Sequence, residues 1–395
     1  MSRVERADVV VIGGAIVGSS VATFLASRPD FDGRIVVVER DPTFRTSSTT
    51  LSAASIRLQF STPLNIEISR FGLGIVRDPV AFLGVDGQAP DVDFVENGYL
   101  FLGTEAGLRT LEHNHAVQRA LDVPVALLSP AELGARFEWL HVDDLAGGSL
   151  GLSDEGWFDA YALLQGFRRR ARALGVEEWT GEVTGIDVGE SRVHGVQLAD
   201  GTRIDAGWVV NAAGPRAGSV AALAGVELPV HPRKRNVYHF EAPVSLGRAP
   251  LTIDPSGVYL RPEGPAYLAG FSPHGATPDP DTLDLTVDRA AFESFVWPTL
   301  AHRVPAFDRV RLLDAWAGTY EVNTLDHNAI VGPHPVQRNL LFANGFSGHG
   351  LQQAPAVGRG LAEWIAAGRY ETLDLSPLGY ERIERGEPIL ELNVV

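Results

Sequence analysis

Gly13, Ala15 and Gly18, in the run VVVIGGAIVGSS, have the spacing of a turn that brings backbone N–H groups against a pyrophosphate. Glycine at such places permits a tight turn, close approach of backbone to phosphate, and close packing of the next helix. That helix start then offers unpaired N–H groups and a positive dipole end. Ala15 puts a methyl where the middle glycine would stand, narrowing the gap. Glu39 closes the next apolar run, where a carboxylate can accept both hydroxyls of a ribose. The competing reading is a purely structural glycine turn. A second glycine loop, NLLFANGFSGHGLQQAP, sets Gly345, Gly348 and Gly350 between an apolar run and a helical pattern. Its helix, from about 352 with Pro355 in the first turn, aims a positive end at the loop and would stabilise negative charge on a bound ring. A nucleophile elbow at Ser347 needs glycine where His349 stands, which disfavours a hydrolase. His349 itself is either a ligand neighbour or a packed core histidine.

These loops need elements to hold them. Residues 7–13, 15–28 and 34–39 read as strand, helix and strand, a βαβ unit. Residues 43–55 are rich in Ser and Thr and read as an extended polar loop. Helical pieces and a strand near 98–102 fill 63–140, and 158–174 is helical, with Arg168, Arg169, Arg170 and Arg172 on its solvated face. Short antiparallel strands are expected at 178–187, 193–198 and 202–206, and a buried strand at 208–211 ending in AAGP. Residues 226–320 alternate short strands with Pro/Gly turns. A strand at 340–343 leads through GFSGHG to a helix over 352–367, stopped by Gly368. The cluster Arg233, Lys234 and Arg235, with the chain's only lysine, opens a strand.

Composition narrows the function. At 395 residues the chain holds two or three folding units. Its 33 basic and 49 acidic residues leave a net charge of −16, which repels nucleic acid and anionic membrane surfaces. With no cysteine there are no disulfides, thiolate metal sites or Cys nucleophile. His113 and His115 are too close to share a helix face, so no metal site is expected. No apolar run is long enough to span a membrane, and a strand begins almost at the first residue. A cytoplasmic location is the expectation.

The glycine fingerprint, the loop ending in SAASIR, the NAAGP strand end and GFSGHG occur in this order in D-amino-acid oxidase-like FAD-dependent oxidoreductases. The chain resembles that family, which includes sarcosine oxidase, glycine oxidase and dimethylglycine dehydrogenase. The resemblance implies an α/β fold: a Rossmann-type FAD-binding domain interleaved with a β-rich, antiparallel-sheet substrate domain. The FAD-binding part would be 1–84, 145–230 and 325–380, the substrate part 85–144 and 231–324, and 381–395 a C-terminal tail. It further implies that Ala15, Ile16, Val17 and Gly18 meet the pyrophosphate, and Glu39 with Arg40 the adenosine. Ser48, Thr49, Ser52, Ala53, Ala54, Ser55 and Ile56 would line the cofactor, Val183 would meet adenine, and Ala212, Ala213 and Gly214 the diphosphate. Gly348, His349, Gly350, Leu351 and Gln352 would hold the flavin ring. Arg57 matches an arginine that binds substrate carboxylate, and Tyr259 and Tyr320 match pocket tyrosines.

Some family features are absent. The His or Cys that tethers flavin in several relatives is missing, so the resemblance implies non-covalent FAD. Gln352 replaces a lysine that assists carboxylate binding. No lysine stands near Tyr267, where one promotes reaction with oxygen, and Tyr320 replaces the carboxylate arginine of D-amino-acid oxidase. The expected activity is oxidation of a CH–N bond in a small carboxylated amine, with oxygen or another carrier as electron acceptor. The alternatives are a scaffold protein with structural FAD and oxidation of a 2-hydroxy acid.

Overall fold

The computed structural model describes residues 4–273 and 279–392. At its centre is β1 (Val4–Ile12), parallel both to β2 (Ile35–Glu39) and to the strand Arg203–Asn211. The apolar runs of these strands suit a sheet covered on both faces: Val9, Val10 and Val11 are completely buried. Each such side chain contributes about 1.5–3 kcal/mol of burial. The helix α1 (Ile16–Ala26) crosses between β1 and β2. Outward from Arg203–Asn211 follow Leu340–Asn344 in parallel and Ile330–Pro333 antiparallel, and Glu177–Thr180 continues the sheet beyond β2.

A second eight-stranded sheet runs from Arg311–Asn323 through Val230–Glu241 to Val125–Leu128, antiparallel except where Leu251–Ile253 meets Tyr99–Gly103. It includes Gly147–Gly151, paired with Tyr99–Gly103 and Val125–Leu128, so this sheet extends past the boundary expected at 145.

Several local expectations change. The strand expected over 178–187 is broken at Gly181 into two, one parallel to β2 and one antiparallel to Val193–Leu198. The strands expected at 202–206 and 208–211 are one, because β1 pairs with it from Arg203 to Asn211. Gly207 makes this continuity possible, since a Cβ there would lie 2.7 Å from Asp8 O. The helix Gly350–Ala367 starts two residues early, which leaves Pro355 beyond its first turn.

Two charged groups are less solvated than their sequence suggests. Only Arg172 of the helix Ala160–Ala173 is fully exposed among its four clustered arginines; Arg168 pairs with Glu178 at 2.6 Å and lies 4.4 Å from the Phe44 ring centre. The cluster at 233–235 binds an acidic segment, with Arg233 on Asp281, Lys234 on Asp284 and Arg235 on Asp279. The described part of the expected tail is packed into the molecule. Arg382 is buried against Asp326 at 3.0 Å and donates to Ala329 O. Among the described residues no helix is long and apolar enough to cross a membrane.

Removing one partner of a buried ion pair strands the other charge, at a cost of about 3–5 kcal/mol. Arg382→Met is therefore expected to lower the melting temperature by many degrees; a shift of under two degrees would show that the 381–392 segment is dispensable.

Candidate active site

The backbone that leaves β1 turns through Gly13, at φ +102°, and enters α1. A Cβ on Gly13 would lie 2.3 Å from Ala212 O, and one on Gly18 would lie 1.9 Å from Gly13 O. Gly18 thus serves close packing of the turn and is not in the wall of the cleft at the start of α1. Ala15, before α1, supplies no side-chain cap; Ile16 N donates to Thr49 Oγ1 at 3.4 Å, and the helix start opens into a cleft of about 330 Å³. Gly13, Ala15, Ile16, Val17, Glu39, Arg40, Ser48, Thr49 and Ser52 line one part of it; Val183, Ala212, Ala213 and Gly214 line another. Glu39 accepts from Gly14 N and Asp41 N, both at 2.8 Å, so the acid also fixes the two turns beside it.

At the other end lie Tyr320, Gly348, Gly350 and Leu351. A Cβ on Gly348 would sit 2.5 Å from the Tyr320 ring, so only glycine fits there. The helix Gly350–Ala367 also starts without a side-chain cap, at His349. Two helix starts therefore face one cleft, one suited to phosphates and one to a ring that gains negative charge. Ser347, at φ +50°, has the bent backbone of an elbow, but its buried Oγ accepts from Asn323 N and donates to Gly345 O. It braces the loop and is not a nucleophile.

Ala53, Ala54, Ser55, Ile56, Arg57, Tyr259, His349 and Gln352 are not in the cleft wall. Ala53 O accepts from Arg261, Ala54 O from Phe158 N, and Ser55–Ile56 pairs with Gly156–Trp157. Gln352 accepts from Arg57 N at 2.8 Å. Arg57, His349 and the tyrosines form a layer behind the ring end of the cleft. Arg57 is 2% exposed; its Nη1 donates to Gln59 O, and its Nη2 lies 2.9 Å from His349 Nε2. The guanidinium sits 4.2 Å from the Phe60 ring centre and 5.3 Å from that of Phe101.

Arginine only donates, so His349 Nε2 accepts and its proton is on Nδ1. Burial, and then the charge of Arg57, hold this imidazole well below its usual range, in agreement with a neutral ring. Burial also lowers the pKa of Arg57, against the raising influence of Tyr99, Glu391 and Glu155. The phenols of Tyr99, Tyr259 and Tyr320 are all raised by burial and stay protonated.

Sequence reasoning missed Tyr99, Phe101, Glu155 and Glu321. Glu155 is buried and raised to about 7 by desolvation; Glu321, in the cleft wall next to Tyr320, is raised to about 8 for the same reason. Their neighbours in sequence carry no motif, although Glu321 adjoins an expected pocket tyrosine. Asp41, Phe44, Glu182 and Arg216 also line the cleft unforeseen. Among the described residues one group, His141, Asp144 and His302, has the makings of a metal site, but both oxygens of Asp144 are held by Arg303 at 2.8 and 2.9 Å.

A cleft at two helix starts, with an acid closing β2 in its wall, has the form of a dinucleotide site. Residues 8–364 match the family described as FAD dependent oxidoreductase (DAO), and the chain belongs to it. FAD-dependent oxidoreductase domain-containing protein 1 of Xenopus laevis is 42% identical over 426 aligned positions, covering 99% of this chain and 85% of that protein. Glycine oxidase of Geobacillus kaustophilus is 27% identical over 389 positions, covering 96% and 97%. Among solved structures, L-proline dehydrogenase from P. horikoshii superposes with a TM-score of 0.85 at 27% identity, covering 98% of this chain and all of that one. The protein is an FAD-dependent oxidoreductase related to amino-acid oxidases and dehydrogenases.

Two outcomes follow. Glu39→Gln weakens charge-assisted bonds by about 1–3 kcal/mol, so the FAD dissociation constant should rise roughly tenfold or more; an unchanged constant would place the ribose elsewhere. Because Glu321 has a folded pKa above its unfolded value, its contribution to stability is present below about pH 4.5 and is lost as pH rises through about 8. The melting temperature of FAD-free protein should fall less between pH 5 and 8 in Glu321→Gln than in wild type, and equal slopes would refute the assignment.

Proposed function

We propose that the protein oxidises the CH–N bond of a small carboxylated secondary or N-substituted amine, with FAD held non-covalently. The observation that carries this reading is Arg57: a buried guanidinium that contacts His349 directly behind Gly348 and Tyr320 at the ring end of the cleft. A guanidinium at this place can form charge-assisted hydrogen bonds to a substrate carboxylate. The aromatic faces of Phe60 and Phe101 around it suit a compact, partly apolar ligand. Likeness to L-proline dehydrogenase and glycine oxidase supports an amine bearing a carboxylate on the adjacent carbon.

The bound FAD supplies a two-electron acceptor for a hydride. Arg57 grips the substrate carboxylate, and so fixes which C–H bond faces the ring. The amine loses that hydride and a proton, leaving a C=N bond. Neutral His349, its Nε2 engaged by Arg57, orients the guanidinium and takes no part as an acid at neutral pH. The start of the helix Gly350–Ala367 stabilises charge at the ring. Cysteine is absent and the Ser/Thr loop holds no histidine, which supports a non-covalent cofactor. The only lysine, Lys234, is tied to Asp284 and Thr286 O, which favours a carrier over oxygen as the final acceptor.

The test is anaerobic bleaching of the flavin with N-methyl amino acids, proline, D-amino acids and 2-hydroxy acids, in wild type and Arg57→Met. Reduction by the secondary amines is expected, with binding in the variant weakened by about 2–5 kcal/mol and FAD content kept. No bleaching by any of them would favour a scaffold role, and reduction by hydroxy acids alone would overturn the amine reading. Acid precipitation should release all of the FAD; fluorescence remaining with the denatured chain would contradict non-covalent binding.

A further inference from the structure

Between Arg57 and the first residue of α2 (Pro63–Arg77), the chain has neither helix nor strand, yet Leu58, Gln59 and Phe60 are buried and Ser61 and Thr62 half-buried. Buried backbone N–H groups need partners, and here carboxylates from distant segments supply them. Leu58 N and Gln59 N both donate to Glu155 Oε1, at 2.7 and 2.9 Å. Phe60 N donates to Leu58 O at 2.8 Å. Ser61 N and Ser61 Oγ donate to Glu391 Oε1 at 2.8 and 2.7 Å, and Thr62 N and Asn65 Nδ2 to its Oε2, both at 3.1 Å.

Thr62, the residue before α2, makes no side-chain cap; Glu391, 329 residues away, holds its backbone N–H and sets a negative charge near the positive end of that helix. The same carboxylate is tied to the helix of the ring loop, because Asn65 accepts from Gln353 Nε2 at 3.3 Å. The clasped segment carries Arg57, whose guanidinium rests on Phe60 and donates to Gln59 O, and the Phe60 ring stands edge-on to His349 at 5.0 Å.

We infer that Glu391, with Glu155, is a positioning residue for substrate capture: the two carboxylates fix the 58–62 backbone and thereby the place of the Arg57 guanidinium. This rests on the reading of Arg57 as the receptor for the substrate carboxylate. Two opposite effects are separable. If Glu391 acted through its charge alone, removing that charge near Arg57 would tighten the binding of an anion. If it acts by position, both the neutral and the shortened side chain loosen binding, since four donors converge on it and neither variant serves all four.

The experiment is titration of the FAD-loaded protein with pyrrole-2-carboxylate, a planar anion with no hydride to give, followed by flavin absorbance. Wild type, Glu391→Gln, Glu391→Asp, Glu155→Asp and Arg57→Met are compared, with melting temperature and FAD content measured on each. A dissociation constant raised roughly tenfold in both Glu391 variants and in Glu155→Asp, with FAD retained, is the expected result. Tighter binding in Glu391→Gln with no change in Glu391→Asp would replace positioning by charge and overturn the inference. Lower melting temperatures with wild-type affinity would reduce both acids to structural roles. Weaker binding in Arg57→Met alone would sink the inference and leave the proposed function standing; unchanged binding in Arg57→Met would sink both. If Glu391→Gln fails to fold, Glu391→Asp, which keeps the charge, still decides.

Discussion

Burying a guanidinium is costly unless its surroundings compensate, and the neighbourhood of Arg57 is organised around that cost. Among the described residues its neighbours include Gln59 and Phe60 beside it, Phe101 from the second sheet and His349 from the loop before the helix Gly350–Ala367, with the charges of Glu391 and Glu155 acting on it as well. Each gives the cation something partial, whether a carbonyl, an aromatic face, a neutral imidazole or a charge at a distance. Burial still lowers its pKa. The same contacts fasten the Ser/Thr loop's exit to the helix Gly350–Ala367, through Arg57 N and Gln352 Oε1.

The cofactor end depends on simpler physics. Both glycine loops end in helices that lack a cap from their own N-cap side chain and start at one cleft. Ala15 in place of the middle glycine is compatible with this turn, since it is Gly13 and Gly18 whose missing Cβ atoms let strand, loop and helix touch. His349 connects the two ends. It precedes the helix Gly350–Ala367, and its tautomer is fixed by the Arg57 guanidinium.

Much of the fold was legible because its signals are local. The run VVVIGG, the helical spacing to about residue 26 and the acid at Glu39 lie within one βαβ unit, and GFSGHG with Gly368 brackets one strand–helix unit. Where a motif marked a residue, as at Gly13, Glu39, Tyr320 and Gly348, the structure places it in the cleft wall. What escaped is long-range: Glu155 and Glu391 meet residues 58–62 across about a hundred and over three hundred positions, and a glutamate carries no sign that it is buried. The ion pairs of the cluster at 233–235 were hidden because its acids, Asp279, Asp281 and Asp284, come almost fifty residues later. The split at Gly181 was hidden for a related reason, since pairing to β2 and to Val193–Leu198 decides it and propensity does not.

The most direct test of the account is a crystal structure of the FAD-loaded protein with pyrrole-2-carboxylate. The account predicts the carboxylate within about 3 Å of the Arg57 guanidinium, the ring of the ligand over the flavin, and Glu155 and Glu391 still on the 58–62 backbone. A carboxylate bound elsewhere, with Arg57 unmoved against His349 and remote from the ligand, would contradict it.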